Sequence, residues 1–547
     1  MDYGFLSAWN GRWEYNSIDD FLNERPSRVR GVYNVNPANN NFDYVQNNPA
    51  GTIGVFESAI YVQDKFNVNP QLEITAGIRL DGQFLTQQLP VSTFIAESAN
   101  FSSFTNELNN NLQVNPRLGI TYQLPDANLT FRGGTGLFSG KLPYLWFGYI
   151  EYISGTEYFN IDIKPSGQLP LVEDLGSLQS VQPDLTEINL LDPDFKFPRD
   201  WKTNIGVDWQ PNASWKVGAE FSYTNVLQGL LFQTANRSEV FSNFSGADNR
   251  VFYNTSGADV KINPNFTNVF VLTNTTKGFR YNATFHVENK QDKLYSYIGY
   301  SYGLSKDVSS TVRSSPAANY EWNQAIFGND PAVSFSNYDL RHKLNVVQSF
   351  RQNLNKKTSL LLSLLYNGRS GSPYSVVYQG DLNRDGSSRN DLIYIPRTES
   401  EISLVATTDA NGNVLTAAEQ WKQLDQYISS IEYLDNRRGD FAERNGAKTP
   451  WNHQLDMKLE WKRAIFDKKA ITLSLDVFNV LNLVNRDWGR LVFVPNVVNS
   501  SFSLLKFQGI ENNIPQFSFN IPADQTPWVV DAFNSRWRIQ GGVKIDF

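Results

Sequence analysis

The sequence predicts an all-β fold, a transmembrane antiparallel β-barrel, and three observations carry that prediction. Apolar and polar residues alternate in steps of two along segments of about ten residues, the length and pattern of a membrane-crossing strand. Very short and very long connections join these segments by turns. No apolar run approaches the ~18 residues of a membrane helix, yet aromatic residues make up 14% of the chain and charged residues only 19%.

The last stretch, Ser535–Phe547, shows the pattern plainly. Trp537, Ile539, Val543, Ile545 and the terminal Phe547 fall on one face, with Arg538, Gln540, Lys544 and Asp546 on the other. One face suits hydrocarbon and the other suits water. A strand ending in an aromatic residue is also how outer-membrane barrels finish, so this strand is the expected insertion signal for the barrel assembly machinery.

Six tight turns define twelve further strands. Phe56 to Phe66 turns through Asn67–Gln71 into Leu72, Ile74, Ala76, Ile78 and Leu80, while Glu73, Thr75, Gly77, Arg79 and Asp81 face the other way. The second and third turns are Pro125–Asn128 and Pro211–Ser214, each flanked by the same alternation. The fourth and fifth are Lys290–Lys293 and Asn353–Lys357. At the sixth, Leu455, Met457, Leu459 and Trp461 alternate with Gln454, Asp456, Lys458 and Glu460 before Asp467–Lys469 turns into Ile471, Leu473, Leu475 and Val477. A strand near Tyr3–Tyr15 and the final strand bring the expected total to about fourteen.

Between hairpins run connections at roughly 16–52, 87–112, 141–197, 229–276, 307–337, 371–448 and 483–534. Structureless loops of that length count against a compact soluble domain. Short turns on the periplasmic side and long loops outside are expected of an outer-membrane barrel. Helical patterning is confined to one place: Thr416 and Glu419 have capping-box spacing, Ala417, Trp421, Leu424, Ile428 and Ile431 share a face, and Gly439 follows as a stop.

Composition narrows the function. The chain has 0 Cys, which removes disulfides, thiolate metal sites and cysteine nucleophiles. Its net charge of −7 argues against nucleic acid as a partner. His286, His342 and His453 lie far apart, at no ligand spacing. Gly133–Lys141 has the wrong spacing for a phosphate loop, and Leu142 stands where Ser or Thr would reach magnesium. No enzyme is expected.

One local motif carries chemistry. Asp381, Asn383 and Asp385 occupy positions 1, 3 and 5 of a calcium-loop pattern, Gly386 position 6 and Asp391 position 11. Oxygen ligands two apart can wrap one hard cation, so Ca²⁺ is the candidate ligand; an Asp/Asn/Gly run is equally the composition of a plain turn. The 141–197 connection carries Asp162, Glu173, Asp174, Asp184, Glu187, Asp192 and Asp194, with Tyr144, Trp146, Phe147 and Tyr149 near its start. Those rings suit either a ligand or the membrane interface.

The chain resembles a known family in an ordered set of motifs. Tyr61–Pro70 with Gly77–Asp81, Asn115–Gly119 with Arg132–Phe138, and Leu475–Asn482 resemble barrel motifs of TonB-dependent outer-membrane receptors. Leu272–Gly278, Asn390–Pro396, Arg438–Gly439 and Glu443–Gly446 with Pro450–Trp451 resemble the Oar-like subgroup, whose members carry a carboxypeptidase-regulatory-like domain. The resemblance implies a plugged barrel of about 22 strands in the outer membrane of a Gram-negative bacterium, driven by the TonB complex through its plug.

Residues 1–547 read as the C-terminal portion of such a barrel, because no plug, regulatory-like domain or signal peptide is legible in them. Two functions fit: a transporter or receptor whose long loops capture an unidentified substrate, or a plug-free pore or adhesin-like barrel.

Overall fold

The computed structural model describes residues 2–6, 12–36, 41–44, 50–91, 93–109, 112–153, 158–163, 187–254, 260–264, 266–408, 412–466, 469–495, 500–522 and 525–547. A 17-stranded sheet dominates it, in which 13 strands form the wall and four shorter segments flank them. In chain order the wall strands are β1 Ala50–Asn67, β2 Leu72–Leu85, β3 Leu112–Leu124, β4 Leu129–Ser139, β5 Arg199–Asn212, β6 Trp215–Thr234, β7 Gly278–Lys290, β8 Leu294–Asp307, β9 His342–Asn355, β10 Thr358–Arg369, β11 Asn452–Phe466, β12 Lys469–Phe478 and β13 Arg538–Asp546. Each pairs antiparallel with the next.

All six expected hairpins are present, and asparagine side chains close the first, third and fifth turns. Asn69 Oδ1 accepts from the main-chain N–H groups of Gln71 at 2.9 Å and Leu72 at 2.8 Å. Asn212 does the same for Ser214 and Trp215, and Asn128 adopts φ 49°, a left-handed conformation that Asn tolerates. The tip of the sixth turn, 467–468, lies outside the described residues.

Register sorts the side chains into two faces. Leu459 lies opposite Leu362 on one side and Leu475 on the other, and Ile205 opposite Phe221, which lies opposite Ala283. This face stays open, with Ile205 59% and Phe221 41% exposed. The opposite face is polar. Arg132 reaches Asp208 and Glu220, each at 2.8 Å, Arg79 reaches Asp81 at 2.7 Å, and Lys458 reaches Glu460 at 3.1 Å. The final strand obeys the same rule: Ile539, Val543 and Ile545 oppose Val477, Leu473 and Ile471.

The wall departs from the expected fourteen strands at its N-terminal edge. Asp2–Leu6 pairs with Ala50–Gly54, at one end of β1 only, and Arg12–Glu14 joins a separate small sheet with Arg28–Asn36. Residues 56–66 of β1 are exposed throughout, as is most of β13. Among the described residues, the registers of β1 along this stretch and of β13 run to one neighbour each. Successive antiparallel steps across 13 strands also leave β1 and β13 pointing the same way.

The described parts of the connections that follow β2, all at one end of the wall, fold together into a cap with cores of its own. One core gathers Phe244, Phe252, Tyr374, Val376, Leu424, Ile428, Leu504 and Phe517. Its sheet runs Pro373–Gln379 parallel to Ser501–Glu511, which pairs antiparallel with Ile514–Ser518. The helix Ala417–Ser430 packs here, with the expected capping box between Thr416 and Glu419. It ends before Gly439, because Ile431 turns extended and a short helix, Glu432–Asp435, intervenes. A second core unites Ile53, Trp146, Phe147, Phe195, Phe232, Phe270 and Tyr320.

Candidate functional site

Chemistry concentrates on the polar wall face and in the Asp381–Asp391 segment of the cap. On the polar face of the wall, Asn115 Nδ2 donates to Asp81 at 2.7 Å and Ser139 at 2.6 Å, and Arg280 bonds Asp200 at 2.7 Å. Asp456 accepts from the Asn479 main-chain N–H at 2.8 Å. Exposed ion pairs of this kind contribute little to stability. Their consequence is a lining of fixed charges and dipoles. Near the cap, a cavity of about 650 Å³ is bordered by Ser222, Thr224, Arg280, Asn282, Ser301 and Lys343.

The Asp381–Asp391 segment crosses the junction of the two cap cores. Asn383, Asp385 and Asp391 are each 0% exposed. Asn383 Oδ1 accepts from the Asp385 N–H at 2.9 Å, Asp385 Oδ1 from the Ser387 N–H at 2.8 Å, and Asp381 Oδ2 from the Gly386 N–H at 3.0 Å. Gly386 sits at φ +92°, and a Cβ there would strike the Arg237 guanidinium. Asp385 Oδ2 receives Asn390 Nδ2 at 2.7 Å and the Tyr320 hydroxyl at 3.2 Å. Burial, with Asp385 beside it, pushes the Asp381 carboxyl up to about 7. Burial also raises Asp385 and Asp391 above the usual carboxylate range.

Asp391 stands apart from the other three expected ligands. Its Oδ1 accepts from Arg250 Nη1 at 3.3 Å and its Oδ2 from the Leu382 N–H at 2.9 Å. Arg250, Arg237 and Tyr320 are the partners that sequence reasoning missed. They lie on other connections, and no local spacing links them to this loop. Among the described residues no group of three or more His, Cys, Asp or Glu side chains is arranged to hold a metal.

The other sequence candidates resolve differently. Trp146 and Phe147 are 2% and 0% exposed, so they pack the second core and present no ring to a ligand or to the membrane interface. Asp192 accepts from the Thr273 hydroxyl at 2.6 Å. Glu173, Asp174 and Asp184 lie outside the described residues. His342 and His453 each bond a tyrosine hydroxyl at 2.7 Å, Tyr300 and Tyr366 respectively, and His286 stacks on Tyr297.

A family model described as "Outer membrane beta barrel domain" matches residues 3–490. No curated protein matches the chain. Similar solved structures include a mutant of the ferric enterobactin receptor PfeA of Pseudomonas aeruginosa, at 9% identity and TM-score 0.38, over 85% of this chain and 45% of that one. The siderophore receptor PirA of Acinetobacter baumannii aligns at 9% identity and TM-score 0.39, over 83% and 47%. The FrpB iron transporter of Neisseria meningitidis aligns at 10% identity and TM-score 0.35, over 79% and 42%. The chain thus spans about half the length of the solved structures it matches.

Proposed function

Because the chain belongs to the outer membrane beta barrel domain family, we propose that it forms wall and extracellular cap of a TonB-dependent transporter of the Oar-like subgroup. The observation that carries this reading is a wall with one apolar and one polar face, surmounted by connections that fold into a cored cap. The apolar face meets outer-membrane lipid and the polar face lines a lumen. Substrate is caught by the cap and passes along the charged lining. The chain acts by binding and passage, without chemical conversion.

Closure of the wall follows from hydrogen bonding. In lipid each unpaired backbone group costs several kcal/mol, so strands beyond these 13 pair with the outer edges of β1 and β13. Since β1 and β13 point the same way, antiparallel closure takes an odd number of additional strands. A barrel of about 22 strands satisfies that parity and has room for a plug. The plug is the part that engages TonB, and the C-terminal face of Trp537, Ile539, Val543, Ile545 and Phe547 is what the assembly machinery reads.

The test uses the protein extracted from its native outer membrane in mild detergent and mixed with the periplasmic domain of TonB from the same cells. The reading expects a complex and no steady open conductance in a planar bilayer. An intact barrel that ignores TonB and conducts continuously overturns it in favour of a plug-free pore.

A further inference from the structure

We propose that the Asp381–Asn390 loop holds one hard divalent cation of the calcium type, with Asp381 and Asp385 as its charged ligands and the amide oxygens of Asn383 and Asn390 beside them. The loop is independent of the transport reading. Its residues fold the cap whatever passes through the wall.

Charge compensation is the first argument. Arg250 is committed to Asp248 and Asp391. Arg237, the other guanidinium at the loop, spends its donors on the carbonyls of Asp385 and Asn236 and on Asn268 Oδ1. Asp385, fully buried, and Asp381, partly buried beside it, are therefore held by amide and hydroxyl donors, and neither forms an ion pair. Arg237 lies near enough to favour the Asp381 carboxylate, yet four carboxylates, Asp248, Asp381, Asp385 and Asp391, face only two guanidiniums, Arg237 and Arg250, and the remaining negative charge calls for a further cation.

Unused oxygen is the second. Asp381 Oδ1 and Asn390 Oδ1 are both buried and lack any hydrogen-bond partner. Asn390 is 1% exposed, and its amide is pressed against the Asp385 carboxylate through Nδ2 at 2.7 Å. Beside an anion alone the amide presents N–H. A cation between them reverses that preference, and half a turn of the amide supplies Oδ1. Asn383 needs no such turn: its Oδ1 accepts from the Asp385 N–H at 2.9 Å and keeps a second lone pair.

The donor set selects the metal class. It is all oxygen, with no imidazole or thiolate, on a loop whose amides can turn, which suits calcium over zinc and over the stricter octahedron of magnesium. Asp391 is a positioning residue: its two oxygens tie Arg250 and the Leu382 N–H, fixing the loop's exit. Tyr320, from the second core, reaches Asp385, and Leu382 and Leu392 belong to the first. A bound cation pins the two cores together.

The test is Tb³⁺ luminescence on the intact protein, extracted in detergent and stripped with EDTA, since the Tyr320 ring lies close enough to sensitise a lanthanide at Asp385. The expected result is a saturable signal from one site, displaced by Ca²⁺ and raising the cap's melting temperature. Asp381→Asn keeps an acceptor for the Gly386 N–H and is expected to weaken binding at least tenfold without lowering the metal-free melting temperature. Should that variant misfold, Asn390→Ser decides by the same titration, with weakened binding in support and unchanged binding against. A folded wild-type protein with no saturable signal, or an Asp381→Asn variant that titrates like wild type, overturns the proposal.

Discussion

Arg250 Nη1 lies 3.3 Å from Asp391 Oδ1, with both side chains fully buried. The guanidinium also bonds Asp248 at 2.9 and 3.0 Å, donates to the Leu392 carbonyl and lies over the Tyr378 and Phe441 rings. The pair is 141 residues apart in sequence, so it fastens one long connection to another.

Arg250→Met leaves Asp248 and Asp391 buried without their cation. Removing one partner of a buried ion pair costs about 3–5 kcal/mol, and the loss falls on the cap. Limited proteolysis is expected to cut the 235–277 and 370–451 connections early in this variant while the wall resists. Adding Asp248→Asn and Asp391→Asn restores much of the protection, because the stranded charges are then gone.

Glu187 makes the second core pH-dependent. Burial, with Glu321 nearby, pushes its carboxyl up to about 7 despite a bond from Asn189. Its unfolded value is about 4.3, so the folded state keeps a proton that the unfolded chain has released. This contribution is fully present below the unfolded value and is lost as pH rises through about 7, at roughly 1.4 kcal/mol per pKa unit. Melting curves from about pH 5 to 8 are expected to fall for wild type and to fall less steeply for Glu187→Gln, the remaining slope belonging to the raised carboxyls of the Asp381 loop.

The assignment of faces is tested on neighbouring residues. Leu459 lies on the apolar face between Leu362 and Leu475, and Lys458 on the polar face beside Glu460 and Asp476. Leu459→Arg is expected to cost roughly 2–4 kcal/mol near the bilayer midplane, and Lys458→Arg little. Equal tolerance in a denaturant titration of the membrane-inserted protein contradicts the register.

The wall was legible because a strand with lipid on one side and water on the other repeats every two residues, and each turn announces itself in Asn, Asp and Pro. Those signals are local, and Leu455–Trp461 against Ile471–Val477 could be read without any other part of the chain. The cap was not legible for the opposite reason. Its strand Pro373–Gln379 is buried on both faces, has no alternation, and pairs in parallel with a segment beginning at Ser501. Spacing picked out Asp381, Asn383 and Asp385 as an oxygen cluster, and the structure does gather them. It could not reveal that Asp391 is claimed by Arg250, because nothing around Asp248 or Arg250 points to that loop. Trp146 and Phe147 show the same limit, since an aromatic run looks alike whether it faces sugar, membrane or core.

The most direct measurement of the central claim is hydrogen–deuterium exchange on the protein in its native outer membrane or mild detergent, read at the two edges of the wall. If further strands close the barrel, the amides of residues 56–66 in β1 and of β13 exchange as slowly as those of β10, which is paired on both sides. Rapid exchange along those edges, with β10 still protected, would show that they end in solvent and that the closed, plug-bearing barrel is the wrong account.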